Sequence, residues 1–345
     1  MDKLNIGILG PSDVAFRKFL PALKTNKYFE YAGVAVANLY ERNQVCNNNE
    51  NLPSVIEKSK IKSENIKKEY GGKIFYSYEE LINSNNIEAI YISLPPALHY
   101  FWAKKALEHE KHVLLEKPFT TNLVDTMSLI KIAGEKKLAL HENYAFCYHN
   151  QINTICELID RKEIGEIRQI RAAFGFPYRE ANDFRYNREL GGGALLDCGG
   201  YPIKLATLLL GKTAQIKTAK LNTVKGHDVD IFGSATLENC DGVTVQVSFG
   251  MDNVYKCEME IWGSQGVIYA PRIFTAPADV KSTIISKKEE EKIIEIPKMD
   301  QFLGSINHFY DCIVDDNVRL RSYKEIEIQS KHINDIFSLN KGGVK

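Results

Sequence analysis

Short apolar runs that stop at glycine, proline or a polar residue alternate with amphipathic stretches over residues 4–141. Each run is aliphatic and β-branched and too short for a helix, which is typical of parallel strands buried on both faces. The runs are Leu4–Gly10, Tyr31–Asn38, Ile87–Leu94, Val113–Glu116 and Leu138–His141. Stretches between them, such as Leu123–Lys137, have helical spacing. The alternation predicts a doubly wound α/β domain with a parallel sheet.

A different pattern begins after Gly165, where apolar and polar residues alternate. It recurs in Ile167–Phe174, Ser234–Glu238, Val243–Phe249, Lys256–Gly263 and Ile293–Pro297. An antiparallel sheet with one covered face and one wet face has this alternation. Asp241-Gly242 between two of the runs favours a hairpin turn. Helical patterns flank this region at Gln151–Lys162, Phe302–Ile313 and Ile326–Leu339.

The change of pattern predicts two domains. Residues 1–144 are expected to form the parallel α/β domain, and residues 145–345 an α+β domain with an open antiparallel sheet covered by helices on one face. A chain of 345 residues is long enough for two separate cores. The last helices are candidates to pack back on the first domain.

Chemistry-bearing residues follow two of the predicted parallel strands. His99 comes shortly after Ile87–Leu94, and Glu116 and Lys117 lie at the end of the run that begins at Val113. Ligands of parallel sheets bind at the carboxyl ends of the strands. These side chains are therefore candidates for a site at that edge of the sheet.

The first strand runs into a candidate phosphate cradle. Gly10, Ser12, Asp13, Val14 and Ala15 form a turn that opens a helix, where backbone N–H groups and the helix dipole can bind a pyrophosphate. The match to G-x-G-x-x-G/A is incomplete because serine stands at the second glycine position. A tight strand–helix turn without a ligand is an equally good interpretation of this segment alone.

The second strand ends at Asn38, where a dinucleotide-binding domain places the residue that faces the adenosine ribose. An acidic residue there would bind the 2′-hydroxyl and exclude a 2′-phosphate. Asn38 is neutral and Arg42 follows it, so NADP(H) is slightly favoured over NAD(H). The alternative is that Asn38 only ends the strand.

Composition excludes several classes of partner. Lys and Arg number 44, as do Asp and Glu, so the net charge is zero and neither nucleic acid nor an anionic membrane is expected as a partner. No basic-then-apolar leader is present, and no apolar stretch approaches the roughly 20 residues that cross a bilayer. The seven cysteines are scattered without a C-x-x-C pair. We therefore expect a soluble cytoplasmic protein with free thiols and no metal site.

A glycine-rich motif stands out in the second half, Leu190-Gly-Gly-Gly-Ala-Leu-Leu-Asp-Cys-Gly-Gly-Tyr201. Asp197 and Tyr201 in it are four residues apart, which places them on one face of a helix. A tyrosine beside a carboxylate and a cation can donate a proton. A structural pair, with Asp197 as a cap and Tyr201 in packing, is the alternative.

Taken together, the glycine turn after the first strand, Glu116-Lys117-Pro118 and the motif around Asp197 resemble the Gfo/Idh/MocA oxidoreductases. Further segments agree with this resemblance: Leu140–Phe146, Ile164–Arg168 and Glu260–Gly266. The family implies an N-terminal Rossmann domain and a C-terminal sheet domain. It also implies an NAD(P)-dependent reaction, with substrate bound between the nicotinamide and the helices of the C-terminal domain.

The resemblance implies roles for individual residues. Lys117 would contact substrate near the hydride-transfer centre, with Glu116 orienting it, and Asp197 and Tyr201 would face the substrate from the second domain. Many family members have histidine where this chain has Tyr201, and tyrosine resembles the glucose–fructose oxidoreductase and sugar-nucleotide ketoreductase branches. Further cofactor contacts would come from Leu94, Pro95, His99, Glu116 and Lys117, and a further substrate contact from Tyr144.

Two details favour a nucleotide-linked sugar. Arg272–Pro277 resembles a stretch of the nucleotide-linked hexose 3-ketoreductases, and Arg179 and Arg185 lie near the expected mouth of the cleft, where arginines can hold a diphosphate. The same arginines could equally belong to a solvated loop.

The main hypothesis is therefore an NAD(P)-dependent reductase of a nucleotide-linked keto sugar, working as a homodimer or homotetramer through the C-terminal sheet. One alternative is a dehydrogenase of a free aldose, cyclitol or dihydrodiol. Another is a cofactor-binding regulatory protein without catalysis, which Ser12 weakly favours and the presence of Lys117 and Tyr201 opposes.

Overall fold

The structure, a computed structural model, describes residues 3–43 and 52–341, which form two compact units. The first unit comprises the chain up to Asn143 together with Phe302–Glu327. The second unit comprises Tyr144–Gln301 and the chain from Ile328.

A six-stranded parallel sheet forms the centre of the first unit, in the order β3-β2-β1-β4-β5-β6. Its strands are β1 Leu4–Leu9, β2 Phe29–Ala35, β3 Lys73–Phe75, β4 Ala89–Ile92, β5 His112–Leu115 and β6 Leu140–Glu142. Its helices are α1 Leu20–Lys24, α2 Leu39–Asn43, α3 Leu52–Tyr70, α4 Tyr78–Ile82, α5 His99–Glu108, α6 Leu123–Lys136 and α9 Gln301–Val314, with α10 Asp316–Lys341 contributing its residues to Glu327. A π-helical segment, Ala15–Phe19, precedes α1.

Successive residues of the central strands enter two different cores. In β4, Ile90 and Ile92 pack into a core with Trp102 on one face of the sheet, while Ala89 and Tyr91 pack into a core with Phe309 on the other. Burial on both faces explains why these runs lack polar positions. The doubly wound parallel sheet predicted from the sequence is confirmed.

An eight-stranded sheet forms the centre of the second unit, in the order β14-β13-β12-β11-β7-β10-β9-β8. Its strands are β7 Ile167–Gly175, β8 Gln215–Asn222, β9 Phe232–Glu238, β10 Thr244–Gly250, β11 Lys256–Gly263, β12 Val267–Ala270, β13 Ser282–Lys287 and β14 Glu291–Ile296. Its helices are α7 Asn150–Asp160, α8 Gly200–Leu210 and the part of α10 that begins at Ile328, with a π-helical segment, Leu195–Gly199, leading into α8.

One pair of strands departs from the predicted antiparallel pattern. The central neighbours β7 and β10 run parallel, while the other pairs are antiparallel. A parallel pair requires a long crossover connection, and α8 lies within the crossover and packs on both strands. The alternation of each strand predicts burial but not direction, so the sheet is mixed rather than wholly antiparallel.

The sequence pattern missed β8, β12 and β13. β8 reads Gln-Ile-Lys-Thr-Ala-Lys-Leu-Asn, and its residues are half-buried or exposed, so it carries no clean alternation. The predicted hairpin at Asp241-Gly242 joins β9 to β10 as expected, with Gly242 at φ +80°. Within the described residues, none of the helices combines the length and apolar character that crossing a membrane requires.

Replacing Phe309 by alanine tests the core beneath α9. Phe309 is fully buried and stacks on Phe29 with ring centroids 5.6 Å apart. Removing a buried phenylalanine ring typically costs about 3–5 kcal/mol, and we expect a loss of that size in the free energy of unfolding by urea. The control is Val314→Ala on the same helix, where the side chain is 60% exposed and the change should stay within about 0.5 kcal/mol.

Candidate active site

The turn after β1 has the backbone geometry of a phosphate cradle. Gly10 has φ +87°, and a Cβ there would lie 2.5 Å from Leu94 Cδ2. Helical geometry begins at Asp13, so the first N–H groups of the helix have no partners within it. The Ser12 hydroxyl accepts from the N–H of Ala15 at 3.0 Å, which makes Ser12 an N-cap. The residues present fit a dinucleotide phosphate, and serine at the second position stabilises the start of the helix.

Asn38 forms a capping box with Glu41. Its side-chain oxygen Oδ1 accepts from the N–H of Glu41, and a Glu41 carboxylate oxygen accepts from the N–H of Asn38, each at 2.9 Å. The buried Glu41 carboxylate also accepts from Ser77, Tyr78 and Glu79. The only acidic residue of α2 is thus turned inward. The side chain of Arg42 lies outside the described part of the structure.

The chain after β4 contacts the cradle directly. The Ser93 hydroxyl donates to the Gly10 carbonyl at 3.0 Å, and Leu94 packs against Gly10. Pro95 leads into a short 3₁₀ turn, Pro96–Leu98, ahead of α5. Leu94 and Pro95 therefore lie at the carboxyl edge of the sheet, next to the predicted cofactor position.

His99 is buried, with its two ring nitrogens 2.8 Å from the carbonyl oxygens of Pro118 and Leu94. Burial lowers the pKa of His99, with a smaller effect of the same sign from Lys117, although both carbonyls favour the protonated ring. Burial is the largest of these effects and favours the neutral ring, which donates to only one of the two carbonyls. His99 holds the loop after β4 against the segment that carries Lys117.

Glu116 lies where the ends of β4, β5 and β6 meet. Its Oε1 accepts from the hydroxyl of Tyr91 and from the side-chain amide of Asn143, both at 2.6 Å. Burial raises the pKa of Glu116, opposed by these two hydrogen bonds and by the charge of Lys117. Three strands thus position one buried carboxylate beside the predicted substrate lysine.

Lys117 follows directly and is half-buried. A cis peptide bond joins it to Pro118. Beyond the proline, the N–H of Phe119 donates to the Glu142 carboxylate at 3.0 Å. The segment is held at both ends, by the strand β5 before it and by Glu142 after it.

In the second unit, Arg185 connects two carboxylates. Its Nε donates to Asp197 Oδ2 at 2.8 Å, and a terminal nitrogen donates to Asp183 at 3.0 Å. Although burial opposes the charge, Asp197 and Asp183 raise the pKa of the guanidinium. The predicted site residues Asp197 and Arg185 are therefore bound to each other, which orients the Asp197 carboxylate.

The three glycines before this helix allow a close approach of backbone segments. A Cβ at Gly192 would lie 2.4 Å from the Arg185 carbonyl oxygen, and one at Gly193, whose φ is +122°, would lie 2.5 Å from the Asp230 carboxylate. That same carboxylate accepts from the N–H of Leu195 at 2.7 Å. The glycines place the first turn of the helix against Asp230, with Arg185 within reach of Asp197.

Tyr201 lies four residues beyond Asp197, in an aromatic cluster. Its ring centroid is 4.9 Å from that of Phe174, 5.2 Å from Tyr144 and 5.9 Å from Phe274. Tyr144 is buried, and its hydroxyl accepts from Gln329. The segment that carries Asp197 is π-helical, so the spacing of four residues is less than a full turn there.

Arg179 is exposed, with its guanidinium 4.9 Å from the centroid of the Phe176 ring. Arg188 in the same loop pairs with Asp228 on the surface. Two arginines were predicted to bind a diphosphate. Of these, Arg179 is accessible to solvent, while the guanidinium of Arg185 donates to the carboxylates of Asp183 and Asp197.

Sequence reasoning missed Tyr91, Asn143 and Asp230. Tyr91 reads as an ordinary residue of an apolar strand, and its contact with Glu116 depends on the pairing of β4 with β5. Asn143 directly follows β6, and a polar residue at the carboxyl end of a parallel strand was the feature that could have marked it as a site residue. Asp230 is distant in sequence from the helix that it caps.

Three potential metal-ligand side chains also lie together in the first unit. The donor atoms of His141, His308 and Cys312 are within 4.8 Å of one another. Burial raises the pKa of the Cys312 thiol to about 12, so without a bound metal ion the thiol is protonated near pH 7. The prediction of no metal site stays a prediction.

Comparisons with known proteins agree across the chain. Residues 4–144 match the sequence model described as "Oxidoreductase family, NAD-binding Rossmann fold", and residues 152–269 match "GFO/IDH/MocA C-terminal domain". A dTDP-3,4-didehydro-2,6-dideoxy-alpha-D-glucose 3-reductase from Actinomadura kijaniata is 33% identical over 90% of this chain and 88% of its own. A trans-1,2-dihydrobenzene-1,2-diol dehydrogenase from Xenopus laevis is 30% identical over 77% of this chain and 78% of its own.

Among solved structures, KijD10, a 3-ketoreductase from Actinomadura kijaniata in complex with NADP and TDP-benzene, superposes with a TM-score of 0.87. It is 31% identical, and the match covers 99% of this chain and 98% of that one.

Replacing Arg185 by glutamine tests the pairing with Asp197. The substitution removes the positive charge that balances the carboxylates of Asp183 and Asp197, which are both poorly exposed. Breaking a buried ion pair costs about 3–5 kcal/mol. Because this pair keeps some contact with solvent, we expect a loss of about 2–3 kcal/mol in the free energy of unfolding by urea. Arg188→Gln, which breaks an exposed pair in the same loop, is the control and should change stability by less than about 1 kcal/mol. Equal losses in both variants would contradict a special role for Arg185.

Proposed function

Because the chain belongs to the GFO/IDH/MocA family of NAD-binding oxidoreductases, we propose that it reduces the ketone of a nucleotide-linked keto sugar with NADPH. Membership confirms the resemblance expected from the sequence motifs. The observation that carries the proposal is the likeness, over most of both chains, to dTDP-keto-sugar 3-reductases. The presence of Lys117, next to the hydrogen-bonded Glu116, and of Tyr201, in its aromatic cluster, is consistent with the proposal.

NADPH would be held by the cradle at Gly10 and Ser12 and, when bound, would supply the hydride for the ketone carbon. The preference for NADPH rests on the start of α2. Asn38 is neutral, and Glu41 is occupied by four hydrogen-bond donors of its own unit. No carboxylate of α2 is therefore presented to a ribose hydroxyl, so a 2′-phosphate would not be repelled there.

Tyr201 is the proposed proton donor to the ketone oxygen. A phenol has an unperturbed pKa of about 10 and needs a nearby cation to release its proton readily. Lys117 is proposed to supply that charge and to polarise the carbonyl. Asp197, oriented by Arg185, is proposed to hold a substrate hydroxyl.

Substitution of Lys117 by alanine and of Tyr201 by phenylalanine should each lower kcat at least about 100-fold, the scale of general acid–base catalysis. Both changes leave the cradle untouched, so NADPH affinity, measured by the fluorescence of the bound cofactor, should stay within about threefold. Near-normal turnover in both variants would contradict the proposed roles.

Arg179 is the proposed contact for the substrate diphosphate. A hydrogen bond to a charged group contributes about 1.5–3 kcal/mol, so Arg179→Gln should raise KM for a dTDP-linked keto sugar by about tenfold or more. We expect little change in kcat. Arg188→Gln, in the same loop but paired with Asp228, is the matched control and should leave KM near the original value.

A substrate screen separates the main proposal from the alternative dehydrogenase function, which the diol dehydrogenase of Xenopus laevis favours. Steady-state rates with dTDP-linked keto sugars are expected to exceed those with free aldoses, cyclitols and dihydrodiols. Oxidation of free sugars or diols with no requirement for a nucleotide would favour the alternative.

We also propose a homodimer or homotetramer formed through the C-terminal sheet, in the cytoplasm. The uncovered face of that sheet carries large apolar side chains, including Trp262, which is 54% exposed, and Phe232, which is 43% exposed. Exposed apolar side chains on a sheet face support association through that face. Sedimentation of the purified chain would measure its mass.

A further inference from the structure

Beyond Asn143, a buried chain of hydrogen bonds continues away from Glu116. Ser305 of α9 contacts Asn143 Oδ1 at 2.7 Å, and His141 Nε2 lies 3.0 Å from the Ser305 hydroxyl oxygen. His141, Asn143, Ser305 and Glu116 are all buried. All four belong to the first unit, where β5, β6 and α9 contribute them.

The direction of the hydrogen bonds follows from which atoms carry hydrogens. Asn143 donates from its side-chain N–H₂ to Glu116 Oε1, and its Oδ1 accepts from the Ser305 hydroxyl. The Ser305 hydroxyl has a single hydrogen, and it goes to that oxygen. His141 must then donate its Nε2–H to Ser305. In this series of hydrogen bonds, each residue therefore donates to the next one in the direction of the Glu116 carboxylate.

We propose that Ser305 and His141 are positioning residues, which fix the amide of Asn143 with its N–H₂ toward Glu116 and so keep that carboxylate ionised beside Lys117. Without Ser305, the amide could turn and place its oxygen against Glu116, which only a protonated carboxyl tolerates. The consequence for catalysis rests on the proposed function, since an ionised Glu116 favours the charged form of Lys117.

Three residues act on Glu116. Tyr91 from β4 and Asn143 after β6 donate to it, and Lys117 on its own segment acts through its charge and its backbone N–H. Burial raises the pKa of Glu116, and each of these three groups works against that rise. A weaker Asn143 contact should therefore raise the pKa further and protonate Glu116 closer to neutral pH.

The test is a pH titration of the Glu116 carboxyl carbon by ¹³C NMR, in protein labelled at glutamate side chains. The resonance is assigned by its loss in Glu116→Gln. In Ser305→Ala the midpoint should rise by about 0.5–1 pH unit, the size of one neutral hydrogen bond. Asn143→Leu removes a bond to a charged group, so its midpoint should rise by about 1–2 units.

Conservative variants and a control separate positioning from general damage. Ser305→Thr keeps the hydroxyl and should titrate like the original protein, as should His141→Gln, which keeps an N–H donor near the same position. His141→Leu should resemble Ser305→Ala. Ser322→Ala removes another buried hydroxyl of the first unit, which donates to the Leu140 carbonyl, and should leave the midpoint unchanged.

An unchanged midpoint in Ser305→Ala would overturn the proposal, as would an equal shift in Ser322→Ala. If Ser305→Ala does not fold, Ser305→Cys, with a weaker donor of similar size, should give a smaller shift in the same direction. The titration needs no substrate, so its outcome does not depend on the proposed reaction. If that reaction is correct, the acidic limb of kcat against pH should move with the NMR midpoint.

Discussion

A carboxylate buried at the ends of three strands constrains the first unit. Taking a charge out of water costs several kcal/mol unless it is hydrogen-bonded and paired. Glu116 is therefore accompanied by the hydroxyl of Tyr91, the amide of Asn143 and the charge of Lys117. These groups meet only because β4, β5 and β6 pair in parallel with one particular register. α9 joins the same network, since the hydroxyl of its Ser305 donates to Asn143.

The second unit also contains a buried carboxylate, which is stabilised by an ion pair. Asp197 is buried at the start of a helix, and its charge is balanced by Arg185, which is shared with Asp183. Asp230 caps the same helix, and the glycine run allows both contacts by removing side chains where backbone segments approach. In each unit, a charged residue proposed to act on substrate or to orient its neighbour is thus held by hydrogen bonds from other segments of the same unit.

Much of the fold could be predicted because the burial of a strand determines which of its positions are apolar, and that pattern is visible in the sequence. Runs such as Ala89–Ile92 are apolar throughout since both faces of the strand are covered, and strands such as Lys256–Gly263 alternate because one face is not. The parallel pairing of β7 with β10 could not be predicted in this way, because parallel and antiparallel strands with one covered face have the same alternation. For the site, Lys117, Asp197 and Tyr201 were predicted from motifs. Ser305, more than 160 residues from Asn143, was not.

By itself, the sequence determined the alternation of buried strands and helices, the glycine turns, and the identity of the charged and aromatic residues at strand and helix ends. Those features are local, since they depend on a residue's own backbone conformation and on periods of two or 3.6 residues. Only the tertiary structure decided that Arg185 pairs with Asp197, that Asn38 caps α2 with Glu41 turned inward, and that Ser305 reaches Asn143. Such contacts join residues whose distance depends on register and packing, and hydrogen-bond partners cannot be read from composition or period.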